Sequence, residues 1–203
     1  TNQTVGHGLN AKPSIVIYKN RDAATAWRVI PAFINDGHYL ALNNTDALFT
    51  TSGSYFGTNT SSVLGITGSY SGIINANGND IIAYCFAPVE GFSAMGSYVG
   101  NGSADGPFVY TGMRPRWIMF KRTDASNNWF ILDTARDSHN ALTNYLSSDL
   151  TNSEATSANI ADALSNGFKV RGGSTYYGFN ASGGTYIYLA FAEHPFSLNG
   201  GLA

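Results

Sequence analysis

The chain has 203 residues, enough for one large all-β domain or two small ones with a sizeable core. Its 11 Lys and Arg and 13 Asp and Glu leave a formal net charge of −2, which excludes the basic surface that nucleic acids or anionic membranes attract. A hydrophobic content of 43% excludes a disordered chain, and no apolar run is long enough to insert into a membrane.

Near its start, the chain carries a glycine-rich segment, residues 6–11, that fits the G-x-G-x-x-A pattern of dinucleotide-binding loops. Such a loop needs a strand before it and a helix after it. Here Pro13 and a run of branched side chains follow instead. We interpret the segment as the entry to a strand and predict no cofactor.

Residues 14–18 are branched and aromatic, follow Pro13, and predict a short strand. Lys19-x-x-Asp22 then begins a polar loop, and Trp27 opens a return strand, so the segment predicts a β-hairpin. Asp22 alone supplies too few oxygen ligands for a calcium ion. We interpret it as a turn former that bonds its own backbone, and we predict no metal site.

Further strands are predicted at residues 39–42, 63–67, 81–87, 108–110, 167–171 and 186–192. The segments 81–87 and 186–192 are apolar almost throughout, as a central strand buried on both faces would be. Residues 134–150 are predicted to form either a helix or a loop, and residues 157–164 a weaker helical turn. The predicted class is all-β, most simply a sandwich of two packed sheets.

The chain repeats itself. Residues 13–29 match residues 115–131 at five identical positions, where chance gives about one. The identical pairs are Pro13/Pro115, Lys19/Lys121, Asp22/Asp124, Ala23/Ala125 and Trp27/Trp129. The segments 81–87 and 186–192 follow in the same order. We predict two internal repeats of about 100 residues, a size at which each could fold alone.

We place repeat 1 at residues 1–95 and repeat 2 at residues 96–203. Repeat 2 opens with Gly96-Ser97-Tyr98-Val99-Gly100 and the strand at 108–110, whereas repeat 1 starts abruptly. We therefore expect repeat 1 to lack its N-terminal lead-in strand and the natural polypeptide to continue upstream of Thr1. Cys85 is the only cysteine, so no disulfide can form within the chain.

Three segments resemble an uncharacterised domain family of marine phage and prophage proteins that are tail-fibre-like or structural. They are VGHGL…KPSIVIYKNRD, IAYCFAPVEGFSAMGSYVGNGSADGPFVYTGMRPRWIMFKRTD and NASGGTYIYLAFAEHPF, and together they cover residues 5–196. The resemblance implies a virion component exposed on the phage particle and therefore extracellular. It also implies other virion proteins as partners and self-assembly, with a trimer favoured, and it supplies no active site.

Catalytic patterns are weak. Ser93 lacks the last glycine of a G-x-S-x-G elbow, and His7, His38, His139 and His194 are scattered. Cleavage of a glycosidic bond needs two carboxylates about 5–9.5 Å apart. Glu90 and Glu193 each follow a closing strand, but we interpret both as solvated loop carboxylates. We predict no catalytic residues.

Glycan binding without cleavage fits a neutral polar surface with exposed aromatic rings. We expect Trp27 and Trp129 to pack in the core, and Tyr55-Phe56 and Tyr176-Tyr177 to be the exposed aromatic pairs. The sequence leaves the binding residues unknown. The predicted function is a non-enzymatic virion surface protein, a module of a tail fibre, spike or similar appendage that provides structure and host attachment. A capsid decoration protein and a glycan-cleaving appendage enzyme are the alternatives.

Overall fold

The structure, a computed structural model, describes residues 2–34, 37–50, 59–67, 73–172 and 177–195. The chain divides into two compact units, unit 1 at Thr1–Ala87 and unit 2 at Pro88–Ala203. The boundary expected between residues 95 and 96 instead falls inside a strand, Ser93–Val99.

Unit 1 contains a five-stranded antiparallel sheet and a two-stranded one. The strands in chain order are β1 (Gln3–Gly6), β2 (Ile15–Asn20), β3 (Arg28–Pro31), β4 (His38–Ala41), β5 (Phe49–Thr50), β6 (Val63–Ile66) and β7 (Ile81–Phe86). The larger sheet runs β5-β4-β3-β2-β7, and β1 pairs with β6. Val16, Tyr18 and Ile30 of the larger sheet pack on Leu64 and Ile66 of β6, so the core of this unit lies between its two sheets.

Unit 2 is a sandwich of two four-stranded antiparallel sheets. Its strands are β8 (Ser93–Val99), β9 (Phe108–Tyr110), β10 (Pro115–Arg122), β11 (Trp129–Asp133), β12 (Leu142–Tyr145), β13 (Ala155–Leu164), β14 (Gly167–Val170) and β15 (Thr185–Ala192). One sheet runs β11-β10-β15-β8 and the other β12-β13-β14-β9. Phe120 and Tyr186 of the first sheet share one core cluster with Ile160 and Phe168 of the second.

These elements confirm the all-β class and the packed-sheet architecture. Each predicted strand is present, with ends within about two residues of the expected ones. The described residues hold a single helix, α1 (Tyr177–Asn180), of four residues. Within the same residues, no helix is long and apolar enough to cross a membrane.

The helix predicted as an alternative at residues 134–150 is wrong, and so is the helical turn at 157–164. The first segment holds a turn and then β12, because the Asp137 carboxylate accepts hydrogen bonds from the Thr143 and Asn144 amides at 2.7 and 2.6 Å. The second lies within β13, between β12 and β14. The side chains of Ser, Thr and Asn hydrogen-bond to nearby backbone groups and so disfavour a helix. Hydrogen bonding of β13 to strands on both sides stabilises the extended conformation instead.

The two closing strands, expected to be central and buried on both faces, differ from each other. β15 lies between β10 and β8, and its residues from Tyr186 to Ala190 are buried. β7 lies at the edge of its sheet, where Ile82 is 36% and Tyr84 43% exposed. The prediction is therefore wrong for β7, because β2 is its only neighbour in the described sheet.

The two units share a pattern of strand pairing. In unit 1, β2 lies between β3 and β7; in unit 2, β10 lies between β11 and β15, and in both units the central strand comes first in the chain. β1 pairs with β6 as β9 pairs with β14, although the sequence patterns did not predict β1. The duplication stays a prediction.

Candidate functional site

The lysines of the repeated Lys-x-x-Asp loops bind backbone carbonyls. The Lys19 ammonium donates to the Ala23 and Thr25 carbonyl oxygens at 3.2 and 2.7 Å. The Lys121 ammonium is fully buried and donates to the Arg122 carbonyl oxygen at 2.8 Å. A buried ammonium is tolerated only with such partners, so both lysines hold the shape of their loops.

The aspartates of these loops hold the closing strands. The Asp22 carboxylate accepts a hydrogen bond from the backbone amide of Asp80, just before β7. The Asp124 carboxylate accepts one from the backbone amide of Thr185, the first residue of β15, at 3.0 Å. The interpretation of Asp22 as a turn former therefore omitted its main partner, the Asp80 amide, which is distant in sequence. Both aspartates are structural acceptors in this arrangement.

The tryptophans that follow the loops are also bound through their backbone. The Trp27 amide donates to Asn43 Oδ1 and the Trp129 amide to Asp149 Oδ1, each at 3.0 Å. The Trp129 side chain is buried, as expected, whereas Trp27 is half-buried and stacks on Tyr84 with ring centroids 6.2 Å apart.

The Arg122–Asp124 pair gives a testable pH dependence. The Arg122 guanidinium lies 2.8 Å from Asp124 Oδ2 and holds the pKa of that carboxyl below its usual value of 3.8. A lowered pKa adds stability above the unfolded-state value, and that stability is lost as the pH falls through the folded-state value. Because the pair is partly solvated, we expect Asp124→Asn to cost only about 0.5–1 kcal/mol at neutral pH.

The difference between wild type and Asp124→Asn should shrink as the pH falls below the unfolded-state pKa of about 4, measured by urea unfolding across the acid range. Glu90→Gln, a change at an exposed turn residue, is the control and should leave the free energy of unfolding unchanged at neutral pH. A cost for Asp124→Asn that is the same at every pH would contradict the assignment to this ion pair.

Of the residues weighed for catalysis, Glu193 and Ser93 have structural partners, so Glu193 is not the solvated carboxylate that was expected. Glu193 Oε2 lies 2.5 Å from Arg114 Nε, and Glu90 lies in the exposed turn before β8. Ser93 is buried, and its hydroxyl accepts a hydrogen bond from the Val89 amide at 3.2 Å. Across the described part of the chain, no three His, Cys, Asp or Glu side chains group as metal ligands would.

Two aromatic side chains of β9 face outward from unit 2. Phe108 is 45% and Tyr110 67% exposed, whereas Val109 between them is buried in the core. A Cβ atom at Gly167 would lie 3.0 Å from two carbons of the Phe108 ring, so the ring lies close against the backbone of β14. That contact fixes the ring while leaving much of its surface open to solvent.

Charged side chains border these rings on the same face. Lys169 pairs with Phe108 across the strands, and its ammonium lies 2.8 Å from Asp105 Oδ1, which lowers the pKa of the Asp105 carboxyl. Arg171 Nη2 lies 2.6 Å from the Asp162 carboxylate. We call Phe108, Tyr110, Asp105, Lys169 and Arg171 the β9–β14 face.

A buried asparagine positions the loop that leads into this face. Asn180 is fully buried, and its Oδ1 accepts a hydrogen bond from the Asn101 amide at 2.9 Å. Its Nδ2 donates to the carbonyl oxygens of Ser103 and Gly172, both at 2.7 Å. The loop before β9 is thereby fixed to the segment around α1.

The sequence patterns identified β9 as a strand but not its outward face, because F-V-Y reads as continuously apolar. Of the aromatic pairs expected to be exposed, Tyr55, Phe56 and Tyr176 lie outside the described residues. The side chain of Tyr177 does so too, although its backbone belongs to α1. Strand pairing supplies a signal that the sequence alone lacks. Gly167 lies opposite Tyr110 on the neighbouring strand, and a Gly opposite an aromatic residue indicates where that ring has room on the outer face.

No curated protein and no solved structure matches the chain. A family model described as "Domain of unknown function (DUF7483)" matches residues 1–195, nearly the whole chain. The chain belongs to the DUF7483 domain family.

Proposed function

We propose that this protein is a non-enzymatic surface protein of a phage virion, a module of a tail fibre, spike or similar appendage that contributes structure and host attachment. The resemblance of its GSYVGNG, GPFVYTG and YLAFAEHPF segments to phage structural proteins supports the virion role. The use of the repeated Lys and Asp side chains to hold loops and strands supports a mechanical role.

The β9–β14 face is the observation that carries host attachment. A sugar ring has an apolar face and a rim of hydroxyl groups, so it is bound by aromatic rings beside charged or amide groups. Phe108 and Tyr110 supply exposed rings, and the Lys169–Asp105 and Arg171–Asp162 pairs supply donors and acceptors next to them. Outward-facing apolar rings on a rigid sheet are informative, because most large apolar side chains are buried.

The proposed ligand is a bacterial surface polysaccharide. Association with other virion proteins and trimer formation belong to the same proposal and rest on the resemblance alone.

The test is binding of the purified chain to an array of bacterial surface polysaccharides and to host cells. Phe108→Ala combined with Tyr110→Ala should weaken glycan binding by about ten- to a hundred-fold, as loss of central aromatic contacts does elsewhere. Phe33→Ala removes an exposed aromatic ring from unit 1 and is the matched control, which should bind as wild type.

Other outcomes contradict the proposal. Unchanged glycan binding by the double variant would show that the β9–β14 face does not take part in host attachment. Hundreds of copies per particle without any glycan binding would indicate a decoration protein. Release of reducing ends from host glycan, lost on Glu90→Gln or Glu193→Gln, would indicate an enzyme.

A further inference from the structure

A pocket opens on the outer surface of unit 2, beside the β9–β14 face. Its volume is about 370 Å³, which is within the size range of small-ligand sites. The residues that line it come from separate stretches of the chain and are Ala104, Ala141, Asn159, Asp162 and Arg171. Because Arg171 belongs both to the pocket and to the β9–β14 face, the two adjoin.

Strand register places the pocket in line with the exposed aromatic rings. Phe108 lies opposite Lys169, and Lys169 lies opposite Asp162, so these three side chains share the outer surface of one sheet. Neighbouring strands lie about 4.8 Å apart, so the backbones at Phe108 and Asp162 are about 10 Å apart. That span exceeds a single sugar ring, so a glycan that reaches from the rings to the pocket crosses the strands with more than one sugar unit.

Asp162 supplies the pocket with a carboxylate oxygen that has spare capacity. Its side chain is almost completely buried, and its Oδ2 lies 2.6 Å from both Nε and Nη2 of Arg171. In the described part of the chain, no hydrogen bond reaches Asp162 Oδ1. A carboxylate oxygen with little access to water is costly without a donor, so this atom favours a ligand that brings a hydroxyl group.

Asn159 lies at an irregular point of β13, beside the same pocket. The β12 segment from Leu142 to Asn144 pairs with a longer β13 segment, from Ala161 back to Thr156, and Asn159 lies within the excess. Its φ is +43°, a conformation that Asn adopts more readily than most residues. Bulges of this kind change the direction of a side chain. They place the Asn159 amide, which can both donate and accept, at the pocket.

The charges around the pocket are balanced. Lys169 Nζ lies 2.8 Å from Asp105 Oδ1, and the Arg171 guanidinium is paired with Asp162. Because each cation already has a carboxylate partner, an anionic sugar gains little from them and is repelled by Asp162. Arg171 Nη1 lies 3.6 Å from Asp105 Oδ1, too far for a hydrogen bond, so it can donate to a ligand. This arrangement suits neighbouring neutral hydroxyl groups, one donating to Asp162 Oδ1 and one accepting from Arg171.

We propose, on the basis of the host-attachment function, that this pocket is a second sugar subsite and that the glycan it selects is neutral. Phe108 and Tyr110 stack on one sugar unit. Asp162, Arg171 and Asn159 bind adjacent free hydroxyl groups of another unit of the same glycan.

The test is binding of the full 1–203 chain to a panel of neutral and uronic-acid-containing bacterial polysaccharides. Wild type should bind neutral members, and the binding should survive about 0.5 M NaCl, which screens attraction between charges. Periodate cleaves the bond between adjacent carbons that carry free hydroxyl groups. Periodate followed by borohydride reduction of the polysaccharide should therefore abolish binding, whereas borohydride alone should not.

Two variants test the pocket itself. Asp162→Asn should weaken binding to the neutral polysaccharides about ten- to a hundred-fold and Asn159→Gly about three- to tenfold, because hydrogen bonds to charged groups are the stronger ones. Glycine adopts a positive φ without strain, so Asn159→Gly should keep the fold, which urea unfolding checks. Asn152→Gly, a change at an exposed asparagine outside the pocket, is the matched control and should bind as wild type.

The outcomes separate this subsite from the host-attachment function. Wild-type binding by both pocket variants, with loss of binding in Phe108→Ala combined with Tyr110→Ala, would overturn the subsite alone. A preference for acidic polysaccharides that disappears in salt, or binding that survives periodate, would overturn the neutral glycan. No binding of wild type to any member of the panel or to host cells would overturn both proposals.

Discussion

Asn180→Ala should destabilise unit 2 by about 2–4 kcal/mol, because it leaves the buried Gly172 carbonyl without its partner and removes two part-buried hydrogen bonds to the loop before β9. In the native protein Asn180 binds the Asn101 amide and the Ser103 and Gly172 carbonyl oxygens, and its side chain is fully buried. Each buried polar group left without a partner costs about 1–3 kcal/mol. Such a loss is a large share of the stability of a typical domain, about 5–15 kcal/mol.

The measurement is urea unfolding followed by tryptophan fluorescence, with the free energy of unfolding as the result. Asn152→Ala is the matched control, because Asn152 is exposed and its removal should change stability by less than about 0.5 kcal/mol. A cost below about 1 kcal/mol for Asn180→Ala would show that the loop before β9 does not depend on this network.

This network also gives a physical reason for the GSYVGNG segment. A Cβ atom at Gly100 would collide with the Ala181 carbonyl oxygen, and Gly102 has a φ of +68°, a conformation that glycine adopts without strain. The glycines let the loop approach the segment after α1 closely enough for Asn180 to reach it. A sequence pattern marks these glycines as a turn but does not identify their partner 79 residues away.

Strands with strong β-formers at their centre were predictable, and strands of small polar residues were not. β2, β10 and β15 are rich in branched and aromatic residues, which favour strands wherever they pair. β8 and β13 are rich in small residues such as Ser and Ala, which form strands here because of neighbours distant in sequence. Glycine is disfavoured inside strands, yet Gly96 lies within β8. A Cβ atom there would lie 3.1 Å from the Tyr188 ring, so close packing explains why the strand has a glycine at this position.

The candidate site was predictable only in kind. Composition indicated exposed aromatic rings on a neutral polar surface, but sequence alone does not say which face of a strand looks outward. The outward position of Phe108 and Tyr110 depends on Val109 entering the core against Phe168, its partner on β14. Likewise, Trp27 and Trp129 are equivalent in sequence, yet only Trp129 is fully enclosed.

Tyr98→Ala should cost unit 2 about 3–5 kcal/mol, the usual range for removing a large buried ring. The Tyr98 ring stacks on Tyr186 and meets Phe168 edge to face, with centroids 4.8 and 6.1 Å away. Its hydroxyl donates to the Phe179 carbonyl oxygen at 2.9 Å. Truncation therefore removes ring contacts that β8 makes with both sheets of the sandwich, with Tyr186 of β15 and Phe168 of β14.

The neighbouring residue of β8 supplies the control for this change. Val99 is 57% exposed, so Val99→Ala should alter the free energy of unfolding by less than about 0.5 kcal/mol. p-Cresol, which has the shape of the lost side chain, should bind the cavity of Tyr98→Ala and raise its unfolding midpoint, with no effect on Val99→Ala. Equal destabilisation by the two variants would mean that β8 stabilises the sandwich by its backbone pairing with β15 alone.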